Sequence, residues 1–272
     1  MVGYDLRMRL ARLWHGLRRR VAGSRTAPVA EPSIPFVHET SHHKSLHFSA
    51  SETQSVMLKR APWVLVEDYT RTMMGFLAFH PRPRRIAMIG LGGGSLAKFC
   101  YTALPHTAID VVEINPHVIA LRDEFCVPAD DARFRVVLGD GAAFLRHATE
   151  RYDALLIDAY TRSGIPRHLS TPAFYEDCRR VLHDSGVLVA NLSGERAHRL
   201  AAPIANRFAH TFFLSENGDD NRVVYAFKSD VSPSPGEATL SASLMILTPI
   251  LARVRAALSA ALVARRCDSD SE

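Results

Sequence analysis

A glycine-rich turn between two apolar segments constrains the fold of this chain more than any other feature. Residues 86–96 read Ile-Ala-Met-Ile-Gly-Leu-Gly-Gly-Gly-Ser-Leu, and residues 111–116 read Val-Val-Glu-Ile-Asn-Pro. This order predicts a strand, a tight turn, a helix that starts near Ser95 and a second strand ending in an acid, which is the outline of a nucleoside-binding βαβ unit. Four glycines would let a ligand approach the backbone and the free N–H groups of that helix: Gly90, Gly92, Gly93 and Gly94.

Acidic residues end two further predicted strands of this unit. Glu113 ends the second strand, where a carboxylate can accept hydrogen bonds from both hydroxyls of a ribose. Asp140, which is followed by Gly141, ends a third strand that starts at Phe134. The carboxyl ends of parallel strands meet at one edge of a sheet, so the glycine turn, Glu113 and Asp140 are expected to line one cleft.

A fourth predicted strand ends in Asp158. Residues 152–160 read Tyr-Asp-Ala-Leu-Leu-Ile-Asp-Ala-Tyr, so the apolar run stops at this acid. A carboxylate at the point where a buried strand emerges into a cleft is a candidate for chemistry. Its alternative role is to cap or brace the loop over residues 161–166. Position alone leaves both roles open.

The pattern of elements predicts an α/β fold with a doubly wound, mostly parallel sheet of seven strands and a small N-terminal β preface. Two short strands over residues 45–51 and 55–58 and a helix over 66–79 precede the main sheet. After the fourth strand come a helix over 169–182, opened by Ser170 or Thr171, a fifth strand over 186–192 and a closing antiparallel pair over 211–216 and 221–228. The expected segments are a basic tail and linker (1–35), the preface (36–80), the nucleoside-binding domain (81–229), and a linker with a C-terminal helix (230–272).

The two ends of the chain differ in charge and hydropathy. Residues 1–30 contain seven arginines and one aspartate, a local charge of +6, whereas the whole chain carries +5. The remainder is thus nearly neutral, and no nucleic-acid partner is expected. Residues 4–21 place leucines among arginines at near-helical spacing, which predicts either a weak contact with an anionic membrane surface or a loosely ordered basic tail. Residues 238–264 carry a helical apolar stripe interrupted by Pro249, which is expected to dock on the domain or on a second subunit rather than cross a membrane.

Cysteine and histidine positions argue against a metal site and a disulfide framework. The four cysteines are scattered without a Cys-x-x-Cys pair, which fits a reducing, cytoplasmic location. Four histidines occur in the preface without a Cys, Asp or Glu at a familiar ligand spacing, so solvent-facing histidines and no metal are expected: His38, His42, His43 and His47.

Several motifs between Gln54 and Lys228 together are similar to one known family. They are the glycine run 90–95, Glu113-Ile-Asn-Pro116, Gly139-Asp-Gly141, Asp158 after an apolar strand, and Phe174-Tyr175 ahead of Arg180-Val-Leu-His-Asp-Ser-Gly-Val-Leu. The chain resembles the spermidine synthase family, the polyamine aminopropyltransferases, which have the class I S-adenosylmethionine methyltransferase fold. The resemblance implies a cytoplasmic transferase of polyamine biosynthesis, a small-molecule amine as acceptor and a possible homodimer.

The resemblance also implies roles for individual residues. Glu113 would hold the ribose of a nucleoside sulfonium donor, either S-adenosylmethionine or its decarboxylated form, and Asp140 the exocyclic amine of adenine. Asp158 matches the first acid of the family's Asp-x-x-Asp motif and would take the proton of the incoming amine, a contribution of roughly a hundred- to ten-thousand-fold in rate. The implied acceptor pocket contains Gln54, Tyr69, Tyr160 and Thr161.

Three departures from the family pattern bear on the substrates. The family loop reads Gly-Gly-Gly-Asp-Gly-Gly, but Gly93 stands where its aspartate would attract the aminopropyl ammonium. Thr161 replaces the second acid of Asp-x-x-Asp. The family's Tyr-His-Glu segment is reduced to Tyr69-Thr-Arg71, in which Arg71 would repel a polyamine if it faced the pocket.

Three alternatives to aminopropyl transfer therefore stay open. A methyltransferase would use the same donor site with another acceptor. A nucleoside-binding homologue with little catalysis would have lost its pocket acids, although the intact Asp158 weighs against it. A nicotinamide dehydrogenase would explain the glycines and Glu113 but leave Asp140 without a task.

Overall fold

The computed structural model describes residues 33–49, 52–160, 164–192, 197–215, 222–229, 244 and 247–269. The amphipathic segment predicted at 4–21, the pocket residue Thr161 and the turn predicted around Asn217 lie outside the described residues. The domain boundaries proposed from the sequence stay predictions.

The main sheet has seven strands among the described residues, as predicted. They are β4 Arg85–Ile89, β5 Ala108–Glu113, β6 Phe134–Leu138, β7 Tyr152–Ile157, β8 Leu182–Leu192, β9 His210–Ser215 and β10 Arg222–Phe227. Their order across the sheet is β6-β5-β4-β7-β8-β10-β9. The first five are parallel, whereas β10 is antiparallel to both β8 and β9, which confirms the predicted closing pair.

Helices cover both faces of this sheet. The described α-helices are α1 Asp68–Met73, α2 Ser95–Ala103, α3 Pro116–Ile119, α4 Gly141–His147, α5 Pro172–Val181, α6 Ala197–Ala205 and α7 Thr248–Ser269, and 3₁₀ helices cover Met74–Ala78 and Arg167–Ser170. Alternate residues of a strand point to opposite faces. Accordingly, Ile86 and Met88 of β4 lie in one hydrophobic core and Ala87 and Ile89 in the other. This double burial explains why the central strands read as continuous apolar runs.

The N-terminal preface contains one strand more than predicted. β1 Phe36–Glu39, β2 His43–Ser49 and β3 Glu52–Leu58 form a separate antiparallel sheet. The prediction missed β1, because the four residues Phe36–Glu39 are too few to show alternation. It also started the other two strands late. The turn between β1 and β2 is stabilised by the Thr40 hydroxyl, which accepts a hydrogen bond from the His43 N–H.

Two predicted helices are each divided into an α-helix and a 3₁₀ helix. The single helix expected over 66–79 is α1 followed by a 3₁₀ helix. The helix expected over 169–182 is a 3₁₀ turn followed by α5. Thr171 caps α5 by accepting the Phe174 N–H, with Pro172 in the first turn as predicted.

The C-terminal helix α7 docks on the domain. Pro249 lies in its first turn, where proline costs no hydrogen bond, so the helix begins next to the proline at which the sequence predicted an interruption of the apolar stripe. α7 packs against β9 and the Met74–Ala78 helix. Its apolar stripe is buried through Leu247, Leu251, Val254 and Leu258. Within the part of the chain that is described, no helix is long and apolar enough to cross a bilayer.

Candidate donor and acceptor site

The glycine loop, residues 90–94, connects β4 to α2 at the carboxyl edge of the sheet. The Gly90 N–H donates to the Val112 carbonyl across 2.8 Å, which holds the loop against β5. Gly90 has φ = +99°, and a Cβ at this position would overlap the backbone carbonyl of Asp158. Only glycine therefore lets β4 and β7 end this close together, so Gly90 brings Asp158 to the loop.

Glu113 fixes the glycine loop from the end of β5. One carboxylate oxygen accepts the Leu91 N–H at 2.9 Å, and the other accepts the Asn115 N–H at 2.8 Å. The side chain is buried, and burial raises the pKa of Glu113, while the hydrogen bonds from Asn115, Leu91, Gly92 and Ile114 oppose the rise. The structure places Glu113 beside the glycine loop, whereas its role in holding a ribose stays a prediction.

Asp140 lies at the end of β6 as the N-cap of α4. One oxygen accepts the Ala143 N–H at 2.8 Å, and the other lies 2.7 Å from Nε2 of His168. Burial tends to raise the pKa of Asp140, but the His168 contact and the backbone N–H groups outweigh burial and lower it. The carboxylate predicted to read adenine is thus ionised and already has an imidazole beside it.

Asp158 follows β7 and lies opposite the glycine loop. The Tyr69 hydroxyl donates to one oxygen at 3.3 Å, and the Asn191 amide donates to the other at 3.1 Å. Burial is the largest influence and raises the pKa of Asp158, whereas these two hydrogen bonds lower it. A carboxylate whose pKa is raised toward neutrality is suited to accept a proton.

Of the described residues predicted for the acceptor pocket, one contacts the Asp158 carboxylate and two have other contacts. Tyr69 contacts Asp158 directly. Tyr160 donates its hydroxyl to the Asn191 backbone carbonyl at 2.7 Å, and the Gln54 carbonyl oxygen lies 4.0 Å from where a Gly92 Cβ would be. Arg71 does not contact Asp158: its guanidinium donates to the Leu65 and Val66 carbonyls and pairs with Asp68. The repulsion considered from the sequence is therefore not supported by the contacts of Arg71.

Gly93 faces the preface sheet. A Cβ at Gly93 would lie 2.7 Å from Oγ of Ser55 and 3.0 Å from Cδ1 of Phe125. The Ser55 hydroxyl in turn lies 3.1 Å from Oγ of Ser95 at the start of α2. The neutral hydroxyl of Ser55, hydrogen-bonded to that of Ser95, thus lies where an aspartate side chain at position 93 would begin. The remaining predicted glycines, Gly94 and Gly141, are packed against Val127 and Ile89.

Sequence reasoning missed two residues of the site. Asn191 is a polar residue at the second-last position of the apolar strand β8. A polar residue at the end of a strand next to β7 is the signal that could have identified it. His168 lies in the 3₁₀ helix Arg167–Ser170, and nothing in its sequence context indicates a contact with Asp140. Among the described residues, no cluster of His, Cys, Asp or Glu is arranged to hold a metal ion.

The fold and the site together define a class of protein. A parallel sheet with a glycine loop after β4 and acids at the ends of β5, β6 and β7 is a nucleoside-binding α/β fold of the class I methyltransferase type. A probable spermidine synthase from Corynebacterium glutamicum has this fold, with a TM-score of 0.67, 18% identity, and coverage of 88% of this chain and 95% of that one.

Comparison with known sequences identifies the family. The family model of the spermine/spermidine synthase domain matches residues 67–201. The polyamine aminopropyltransferase of Chromobacterium violaceum is 39% identical over 187 residues, which cover 68% of this chain and 70% of that protein. The corresponding protein of Neisseria meningitidis is 36% identical over 166 residues, covering 60% and 63%. The chain belongs to the spermine/spermidine synthase family and is a transferase, as the sequence motifs predicted.

Proposed function

We propose that this protein transfers an aminopropyl group from decarboxylated S-adenosylmethionine to a small-molecule amine. The observation that carries the proposal is the position of Asp158, whose backbone packs against Gly90 of the glycine loop and whose buried carboxylate is held by Tyr69 and Asn191. Membership of the family and the names of the relatives support the same activity.

The donor is proposed to bind along the carboxyl edge of β4, β5 and β6. Glu113 would accept hydrogen bonds from the ribose hydroxyls, and Asp140 from the adenine amino group. The loop suits such a ligand because no atom of the described residues lies closer than 4.0 Å to the Cβ position of Gly92, so the backbone there is open to close approach. When bound, the donor supplies a carbon activated by the neighbouring positive sulfur.

Asp158 is proposed to orient the acceptor amine and remove its proton. A polyamine nitrogen is protonated at neutral pH, and only its lone pair can attack. The proton passes to a carboxylate oxygen of Asp158, the nitrogen forms a bond to the aminopropyl carbon, and the carbon–sulfur bond breaks to leave a neutral thioether nucleoside. Positioning by Tyr69 and Asp158 reduces the entropy cost of this encounter.

Methyl transfer from S-adenosylmethionine is the second candidate function. The observation that favours it is Gly93, beside which Ser55 presents a hydroxyl, bonded to that of Ser95, in place of the family's carboxylate. A carboxylate there would repel the carboxylate of S-adenosylmethionine, whereas hydroxyls do not.

The test is incubation of the purified full chain with each donor and a panel of diamines, with products identified by mass spectrometry. Aminopropylated amine formed from the decarboxylated donor is the expected result. A methylated product from S-adenosylmethionine would replace it with the second candidate. Absence of any product, together with absence of donor binding in calorimetry, would contradict both.

A further inference from the structure

Asn191 is the one amide side chain that contacts Asp158 within the described residues. It is the second-last residue of β8 and is only 5% exposed. Its Nδ2 group donates to Oδ1 of Asp158 at 3.1 Å, while the Tyr69 hydroxyl donates to Oδ2. Asn191 therefore holds the oxygen of Asp158 that Tyr69 does not.

The other half of this amide is unsatisfied. Oδ1 of Asn191 is buried and has no hydrogen-bond partner in the described part of the chain. A buried acceptor without a partner is rare in folded proteins and calls for an explanation. Because no group in the described residues anchors Oδ1, rotation of the amide by half a turn about the Cβ–Cγ bond breaks, among the described contacts, only the bond to Asp158.

Proton transfer reverses what Asp158 requires of its neighbours. The ionised carboxylate needs donors, and Nδ2 of Asn191 supplies one. The protonated acid presents an O–H group, which needs an acceptor. Rotation of the amide would bring Oδ1 of Asn191 to the place that Nδ2 now occupies, so one side chain can satisfy both protonation states.

We propose that Asn191 is a positioning residue for proton transfer, whose amide donates to ionised Asp158 and then turns to accept the O–H of the protonated acid. This inference rests on the proposed function, because it assumes that Asp158 takes the proton of the acceptor amine. No bond of Asn191 is made or broken apart from hydrogen bonds, and the proton stays on Asp158 until it is released.

Only a few groups contact Asp158 among the described residues, so few other changes could shift its pKa. Tyr69 contacts it from α1 and Asn191 from β8, and both hydrogen bonds lower the pKa of Asp158. Tyr69 itself lies within the electrostatic influence of Glu67 and Tyr160, and burial keeps its pKa well above the ordinary value, so its hydroxyl remains a donor. A shift in the pKa of Asp158 on replacement of Asn191 therefore measures the contribution of the Asn191 amide.

The experiment is an NMR titration of the unliganded full chain. The Asp158 carboxyl carbon is assigned by its loss in Asp158→Asn, and the Asn191 side-chain amide by its loss in Asn191→Leu. The amide signals are expected to shift with the same midpoint as Asp158 in the parent. In Asn191→Leu, which has a similar volume and no polar group, we expect the pKa of Asp158 to rise by up to about one unit, because the charge-assisted hydrogen bond lost by the ionised form is roughly twice as strong as the neutral one lost by the protonated form.

Kinetics supply the second readout. We expect kcat of Asn191→Leu to fall roughly ten- to a hundredfold, with the acid limb of the pH profile displaced to higher pH and an unchanged donor Kd. The exposed Asn206→Leu is the matched control and should leave the titration and the profile unchanged. Amide signals that do not follow Asp158, or a variant that loses only thermal stability, would overturn the inference. Absence of aminopropyl transfer in a parent whose NMR titration behaves as expected would overturn the proposed function alone.

Discussion

Asp158 carries the chemistry of the proposal in a single carboxylate. Replacement by asparagine keeps its size and removes its ability to take a proton, so we expect kcat to fall roughly a hundred- to ten-thousand-fold. Thermal stability and donor binding should change little. The exposed Asp184→Asn, which removes a surface acid paired with Lys228, is the control. Retention of parental turnover in Asp158→Asn would show that another group is the base.

The pH dependence of turnover follows from the same residue. Burial raises the pKa of Asp158, so the carboxylate becomes protonated at a higher pH than an exposed aspartate. Activity is therefore expected to fall as the pH decreases through this raised pKa, and to be retained above it. A plot of kcat against pH should lose this acid limb in Asp158→Asn, with only residual activity at all pH values. An acid limb that survives in the variant would belong to a different group.

Glu113 is expected to control donor binding. In Glu113→Gln, the amide NH₂ group faces either the Leu91 or the Asn115 N–H, so one of these two donors loses its partner. We expect the Kd of the donor to rise roughly ten- to a hundredfold, equivalent to about 1.5–3 kcal/mol. Isothermal titration calorimetry measures the change, with the exposed Glu150→Gln as control. Equal donor affinity in both variants would remove Glu113 from the donor site.

The loop between β4 and α2 determines how closely the donor and acceptor sites approach. In Gly90→Ala, the new methyl group meets the Asp158 carbonyl, and φ = +99° is strained for alanine. The end of β7 must shift, so we expect a loss of roughly 1–3 kcal/mol in the free energy of unfolding and of nearly all turnover. Urea denaturation and the transfer assay test this. Gly164→Ala is an informative comparison, because its Cβ would meet no atom of the described residues within 4 Å although φ is also positive. Similar turnover in the two alanine variants would mean that close approach at Gly90 is not required.

Helix α2 contains a lysine whose burial makes stability depend on pH. Lys98 is 3% exposed, and burial lowers its pKa to about 8 in the folded chain, while its Nζ donates to the Phe125 carbonyl at 2.8 Å. Between about pH 8 and 10 the unfolded chain binds more protons at this residue, so the free energy of unfolding is expected to increase with pH. We expect the increase to be on the order of 1–3 kcal/mol and to disappear in Lys98→Met.

Urea denaturation at a series of pH values measures this dependence. Lys59→Met, at an exposed lysine paired with Glu39, should leave the slope unchanged. The prediction would be contradicted if the free energy of unfolding of the parent stayed constant or decreased over this pH interval.

The domain depends on its C-terminal helix for part of its core. Leu251 and Val254 of α7 are 2% and 0% exposed and cover β9 and the Met74–Ala78 helix. Leu251→Ala is expected to reduce the free energy of unfolding by about 2–5 kcal/mol, because it leaves a cavity at this contact. Ser259→Ala, on the exposed side of the same helix, is the control. Equal melting temperatures for both variants would show that α7 does not stabilise the domain. The homodimer implied by the family resemblance stays a prediction, which light scattering of the full chain can test.

The sequence alone was enough to predict the sheet and the acids at its carboxyl edge. The apolar runs of β4, β5, β7 and β8 are long and buried on both faces, so their identity as central strands is clear from composition. Glycines and acids at strand ends mark the carboxyl edge, because parallel topology gathers those ends in one place. Gly90, Glu113, Asp140 and Asp158 were therefore found without knowledge of any contact.

Only the tertiary structure decided which partners complete these groups. Asn191 and His168 are separated from Asp158 and Asp140 by about thirty residues each, and no local pattern specifies that their side chains meet. Likewise, the space at Gly93 is occupied by Ser55 of the preface sheet, and Arg71 is held by the carbonyls of its own segment. Periodicity reports which face of an element is buried, whereas side-chain pairing depends on how separate elements pack. The location of the site thus followed from the sequence, and the hydrogen bonds that set its proton affinity followed from the packing.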